Sequence, residues 1–217
     1  MGHYNTVIFD LDGTLLNTLE DLTDSVNAVL NRHGMATHSI DAIRGFVGNG
    51  IDILMERAIP SGRNNESYHE ILAEFKEYYS RHCNDKTKPY DGVLEMLSQL
   101  KEHGYRMGIV SNKADFAVKT LNNLYFSDYV DVAIGAAEGR KKKPAPDAVM
   151  AALSELKSSI EESVYIGDSE VDVATAANCG MDCICVEWGF RDRKELVLAG
   201  AKDIVLTPSE ILLKYLL

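Results

Sequence analysis

The sequence predicts an α/β protein: a Rossmann-like core with a mainly parallel sheet and helices on both faces, plus an inserted α-helical cap. Three observations carry this. Short apolar runs of strand length alternate with helical periodicities from residue 92 to the C-terminus. One strand pattern, Thr6-Val7-Ile8-Phe9, stands alone near the N-terminus. Roughly seventy residues of helical spacing, without a strand pattern, separate it from the others.

Thr6–Phe9 is β-branched and aromatic and stops at Asp10, so it reads as a buried strand with polar groups at its carboxyl end. Leu19, Leu22, Val26, Val29 and Leu30 then recur at helical spacing until Gly34 stops the run. Further helices are expected over Ile40–Phe46, Ile51–Ala58 and 66–82. Residues 18–87 therefore read as a helical cap domain, and residues 1–17 with 88–217 as the core. In the core, a helix over 92–103, ended by Gly104, leads to a second strand at 106–110. A helix over 115–123 precedes a third strand at 130–134, and a helix over Asp147–Leu156 precedes a fourth at 163–166. The helix over 170–178, stopped by Gly180, precedes a strand at 183–186, and a short strand at 204–206 precedes a closing helix.

Composition narrows the partners. Apolar residues make up 46% of the 217 and charged residues 25%, a folded rather than disordered balance. Acidic residues outnumber basic ones 33 to 22, a formal charge of −11 that disfavours nucleic acid and anionic membranes. A small anionic substrate remains compatible, because a local cluster of cations overcomes a distant field that salt screens. Neither a signal peptide nor a membrane span is visible. Cys83, Cys179, Cys183 and Cys185 lack the pairing of a metal site and read as free thiols of a reducing, cytoplasmic setting. Both a monomer and a homodimer fit the sequence.

Ligands of such sheets bind beyond the carboxyl ends of the strands, near a topological switch point. Four strand ends or following loops carry unusual residues: Asp10-Leu11-Asp12-Gly13-Thr14, Ser111-Asn112-Lys113, Arg140-Lys141-Lys142-Lys143-Pro144-Ala145-Pro146, and Gly167-Asp168-Ser169-Glu170-Val171-Asp172. Each alone has a plain explanation as a turn, a helix cap or a solvated loop. Their recurrence at successive strand ends does not. Clustered carboxylates repel one another unless a cation sits among them, and a hard oxygen site suits Mg²⁺. Lysine and a strand-end hydroxyl hold phosphoryl oxygens, and a carboxylate can attack phosphorus to form an acyl phosphate.

These residues resemble the haloacid dehalogenase superfamily of hydrolases, in order and over essentially the whole chain, and most closely its phosphoglycolate phosphatase-like branch. The branch likeness rests on Phe46-Val47-Gly48-Asn49-Gly50, Leu54-Met55-Glu56-Arg57-Ala58, Lys143-Pro144-Ala145-Pro146-Asp147 and Trp188-Gly189-Phe190-Arg191. The resemblance implies a phosphatase of small phosphorylated metabolites, with Asp10 as nucleophile and Asp12 as acid/base. It implies Mg²⁺ held by Asp10, the backbone carbonyl of Asp12 and Asp168, with Asp172 supporting. It assigns Ser111, Asn112 and Lys143 to the phosphoryl group. Gly48, Asn49 and Gly50 form a glycine-flanked cap loop that could admit an anion or simply turn between helices, and Arg57 could meet a substrate carboxylate or decorate an exposed helix. Phosphoglycolate leads the substrates. Inorganic pyrophosphate hydrolysis, sugar-phosphate mutase activity and a non-catalytic phosphate-binding role are the competing functions.

Overall fold

The parallel sheet follows from a chain in which nearly every strand is joined to the next through a helix, because parallel neighbours need a long crossover. The computed structural model describes residues 4–216. β1 (Thr6–Phe9) is buried throughout and is followed by the two-residue β2 (Leu16–Asn17). Four helices come next: α1 (Leu19–Arg32), α2 (Ile40–Phe46), α3 (Ile51–Ala58) and α4 (Tyr68–His82). β3 (Lys88–Pro89) pairs with β2 in a small ribbon. The chain continues through α5 (Val93–Glu102), β4 (Arg106–Ala114), α6 (Asp115–Tyr125), β5 (Val132–Ala136) and α7 (Asp147–Leu156). It ends with β6 (Ser163–Gly167), α8 (Glu170–Cys179), β7 (Asp182–Val186), α9 (Arg193–Leu198), β8 (Asp203–Val205) and α10 (Pro208–Ile211). Two compact units result, Met1–Leu16 with Pro89–Leu217, and Asn17–Lys88.

The larger unit holds a six-stranded sheet in the order β5-β4-β1-β6-β7-β8, parallel throughout. β1 lies between β4 and β6, with Phe9 opposite both Ile109 and Ile166. The connections run outward on either side of β1, so its carboxyl end lies at the switch point of the sheet. Strand alternation feeds two cores. Val7, Phe9, Ile109 and Ile166 pack with Val93, Met96 and Leu97 of α5 and with Val118 and Leu121 of α6. Ile8, Val110 and Tyr165 pack with Val149, Ala152 and Leu153 of α7 and with Ala176 and Cys179 of α8. Each large side chain buried here contributes about 1.5–3 kcal/mol relative to exposure.

Several boundaries differ from the sequence expectation. β4 runs four residues past Val110, with irregular register against β5, so Ser111, Asn112 and Lys113 belong to the strand end. β5 begins at Val132, because Val130 is drawn into a turn by its N–H bond to the Phe126 carbonyl. α9 was not expected; Asp192 and Glu195 start it with a reciprocal capping box. The closing helix α10 is a single turn that passes into a wider π-type turn over Leu212–Leu216. All four cysteines are free thiols, Cys179 and Cys185 buried and Cys83 and Cys183 partly so. Among the described residues no helix is long and apolar enough to cross a membrane.

The smaller unit is helical, and residues 18–87 contain no strand. α1 packs on α4 and α2, and α2 on α3, around buried Ile43, Leu54, Met55, Ile71 and Phe75. The Ser39 hydroxyl caps α2 by accepting from the Ala42 N–H. A buried acid closes the unit: Asp21 accepts from the backbone N–H groups of Lys86 and Thr87 and from the Thr87 hydroxyl, the last at 2.7 Å. Asp21→Ala removes the acceptor for two backbone donors. It is expected to lower unfolding stability by about 2–3 kcal/mol, measured by chemical denaturation.

Candidate active site

Asp10 directly follows β1, and its backbone N–H extends the ladder by donating to the Ile166 carbonyl at 2.9 Å. Its carboxylate is almost wholly buried. Lys143 reaches it from the loop before α7: Nζ lies 2.7 Å from Asp10 Oδ1, 2.7 Å from Asp172 Oδ1 and 3.0 Å from the Tyr165 hydroxyl. Tyr165 in turn donates to Asp172 Oδ1 at 3.1 Å. Burial alone would drive this ammonium toward neutrality, but the carboxylates of Asp10 and Asp172 overcome it and hold Lys143 well above the usual lysine range.

Asp172 is anchored before it meets Lys143. It lies in the first turn of α8, and its Oδ2 accepts from the N–H groups of Asp168 and Ser169 and from the Ser169 hydroxyl at 2.6 Å. The capping box that begins the helix therefore also fixes the second anion of the lysine clamp.

Asp168 follows β6 and is enclosed by backbone. Its Oδ2 accepts from the Phe190 N–H at 2.7 Å and its Oδ1 from the Thr14 hydroxyl at 3.2 Å. The turn carrying Phe190 is secured on both sides. Trp188 donates its indole N–H to the Thr14 carbonyl at 3.0 Å, and Arg191 forks onto Glu170. Two glycines make room for the carboxylate. A Cβ on Gly13, whose φ is +96°, would fall 2.4 Å from Asp168 Oδ2, and one on Gly189 would fall 2.3 Å from Asp168 Cβ.

Carboxylate oxygens of Asp10, Asp168 and Asp172 lie within 4.8 Å of one another. Three buried acids face one ammonium, and the excess negative charge must be offset by a proton or a further cation. Accordingly, burial raises Asp10 to about 7 against the pull of Lys143, with Asp172 and Asp12 adding to the rise. Burial, then Asp172 and Asp10, place Asp168 well above the carboxylate range. A hard divalent cation such as Mg²⁺ fits this donor set. Asp172 already carries two donors on Oδ1 and three on Oδ2, against one on each oxygen of Asp168, so Asp10 and Asp168 would offer the larger side-chain binding capacity.

The remaining residues singled out in the sequence fall into two groups. Asp12 turns to the end of β4, where its Oδ1 meets Lys113 Nζ at 2.9 Å and its Oδ2 the Ser111 hydroxyl at 3.4 Å. Asn112 holds the lysine loop: its carbonyl accepts from the Lys143 N–H at 2.8 Å and its amide donates to the Lys143 carbonyl at 3.1 Å. In the helical unit, Gly48 and Gly50 adopt φ of +116° and +85° on either side of Asn49. Arg57 donates to the Phe46 carbonyl at 2.9 Å and so closes the end of α2. Sequence reasoning missed three members of the core site. Thr14 and Lys113 stand inside quoted motifs without an assigned role, and Tyr165 is disguised as one more large residue of a buried strand.

Comparison with known proteins identifies the family. The family model of the haloacid dehalogenase-like hydrolases matches residues 7–186. Phosphoglycolate phosphatase of Psychrobacter arcticus is 34% identical over 193 residues, 85% of this chain and 84% of its own. That of Nitrosococcus oceani is 31% identical over 189 residues, with 85% and 84% covered. A solved protein from Lactobacillus delbrueckii subsp. bulgaricus superposes with a TM-score of 0.92 at 34% identity over 96% of each chain. The chain belongs to the haloacid dehalogenase-like hydrolase family.

The raised Asp10 carboxyl yields a pH prediction for the cation-free protein. Its folded value of about 7 exceeds the unfolded one near 4, so its stabilising contribution is full below pH 4 and is lost as pH rises to 7. In chelator, Asp10→Asn is expected to gain stability relative to the wild type across that window, on the order of 2–4 kcal/mol. Thermal or urea unfolding of both proteins at pH 4, 5.5 and 7 measures the difference.

Proposed function

We propose that this protein is a magnesium-dependent phosphatase of small phosphomonoesters, phosphoglycolate first among them, acting through an aspartyl-phosphate on Asp10. The enzyme is a hydrolase of phosphoric monoester bonds. The observation that carries the reading is the buried Lys143 ammonium, 2.7 Å from Asp10 at the switch point of the sheet and beside Asp168. It places a cation against a nucleophile that must approach an anion. The phosphoglycolate phosphatases among its relatives support the substrate.

An Asp10 oxygen attacks phosphorus as the ester P–O bond breaks, and Asp12 passes a proton to the departing alkoxide. Lys143 and Ser111 offset the charge on the phosphoryl oxygens. Water then attacks the phosphorus of the acyl phosphate, Asp12 takes its proton, and the P–O bond to Asp10 breaks. Asp10, Asp168 and the backbone carbonyl of Asp12 would hold Mg²⁺, which when bound supplies the positive charge that three carboxylates and an incoming phosphate demand. Asp172, Tyr165 and Asn112 keep Lys143 in place. Substrate selection is assigned to the helical unit, through Gly48, Asn49, Gly50 and Arg57.

Phosphate release from a panel of small phosphate esters and pyrophosphate, with and without Mg²⁺, tests this reading. The expected result is magnesium-dependent release from phosphoglycolate, abolished by excess chelator and lowered at least about 10³-fold in a folded Asp10→Asn variant. Unimpaired turnover in that variant would overturn the mechanism. Preference for pyrophosphate, or an isomerised sugar phosphate in place of free phosphate, would overturn the assigned substrate.

A further inference from the structure

We propose that Lys113 is the positioning residue of the acid/base: it holds one oxygen of Asp12 and leaves the other beside Ser111, where the phosphoryl group binds. The inference rests on the acid/base reading of Asp12 given above. Lys113 is a buried lysine, its side chain 5% exposed, and a buried ammonium requires an anionic partner. That partner includes Asp12, whose Oδ1 lies 2.9 Å from Nζ. The site's other buried lysine, Lys143, is bound to Asp10, Asp172 and Tyr165. Two lysines thus serve two acids: Lys143 the nucleophile, Lys113 the proton carrier.

The end of β4 is built to present this pair. Ser111 and Lys113 lie two residues apart in the irregular stretch of β4, and the Lys113 N–H donates to the Ser111 hydroxyl at 3.1 Å. The same hydroxyl faces Asp12 Oδ2 at 3.4 Å. The Asp12 backbone is restrained by its neighbours, since the Leu11 carbonyl accepts from the N–H groups of Thr14, Leu15 and Leu16 and the Gly13 N–H donates to Leu16. Side-chain rotation is the freedom left to Asp12, and Lys113 removes it.

The chemistry needs this restraint at both steps. When the ester P–O bond breaks, the Asp12 proton moves to the alkoxide and leaves a carboxylate facing an ammonium. When water attacks the acyl phosphate, that carboxylate takes a proton back. Lys113 keeps its own proton throughout and makes no bond to substrate.

A proton donor matters most for a leaving group that departs poorly as an anion, so the leaving group reports on Lys113. In Lys113→Met, kcat/KM for phosphoglycolate is expected to fall about 10- to 100-fold, while kcat/KM for p-nitrophenyl phosphate stays within about threefold. Lys113→Arg should restore part of the lost phosphoglycolate activity. Asp12→Asn in the same assays is the reference, and adding Lys113→Met to it should cause little further loss. Equal losses with both substrates in Lys113→Met, or no loss with either, would overturn the proposal while Asp12→Asn still discriminates between them. If Asp12→Asn fails to discriminate, the acid/base reading itself falls and takes this inference with it. Lys113→Gln replaces Lys113→Met in every arm if the latter does not fold.

Discussion

The site depends on one ammonium in a place that would otherwise reject it. Lys143 is buried, and it stays charged because Asp10 and Asp172 each contact it at 2.7 Å. Removal of either acid still leaves the other against the ammonium, whereas removal of the lysine leaves three carboxylates facing one another. The surroundings read as supports for that ion. Tyr165 fills the gap between Lys143 and Asp172, Asn112 pins the lysine backbone from both sides, and α8 begins with a capping box whose acid is Asp172 itself.

The other half of the centre is steric. Asp168 can stand beside Asp10 only because Gly13 and Gly189 put no Cβ against it, while Trp188 and Thr14 bind the two enclosing turns together. Its raised proton affinity and that of Asp10 share their causes, burial first and then neighbouring carboxylates, which together leave too little positive charge in a dry space. That deficit is what the proposed divalent cation would relieve, the more so when a phosphorylated substrate brings further negative charge. The sheet supplies the location, since β1 sits where the crossovers diverge and its carboxyl end is open on both sides to residues from β4 and β6.

Much of this was legible in the residues because the chemistry demands distinctive types at strand ends. Asp10, Lys143 and the Asp168/Asp172 pair are far apart in sequence, yet each stands at a strand end or in a following loop that its polar residues mark out, and the structure brings them together. The parallel sheet and the helical insertion were legible from periodicity alone. Tyr165 was not, because a tyrosine inside Ser-Val-Tyr-Ile-Gly looks like core until its hydroxyl is found on a lysine. Lys113 was hidden differently: its partner Asp12 lies 101 residues away, and spacing says nothing about such pairs. Asp21 carries no signal in the sequence, since its four hydrogen bonds come from the far end of the insertion. The reach of β4 to Ala114 was missed because Ser-Asn-Lys carries turn propensity, which neighbouring strands override.

The most direct test of the central claim is to stop turnover with acid within milliseconds and map the peptides of the whole chain by mass. The account predicts a phosphoryl group on Asp10 during turnover of phosphoglycolate, absent without substrate. Turnover that leaves the chain unlabelled at every time point, or labels a different residue, would contradict it.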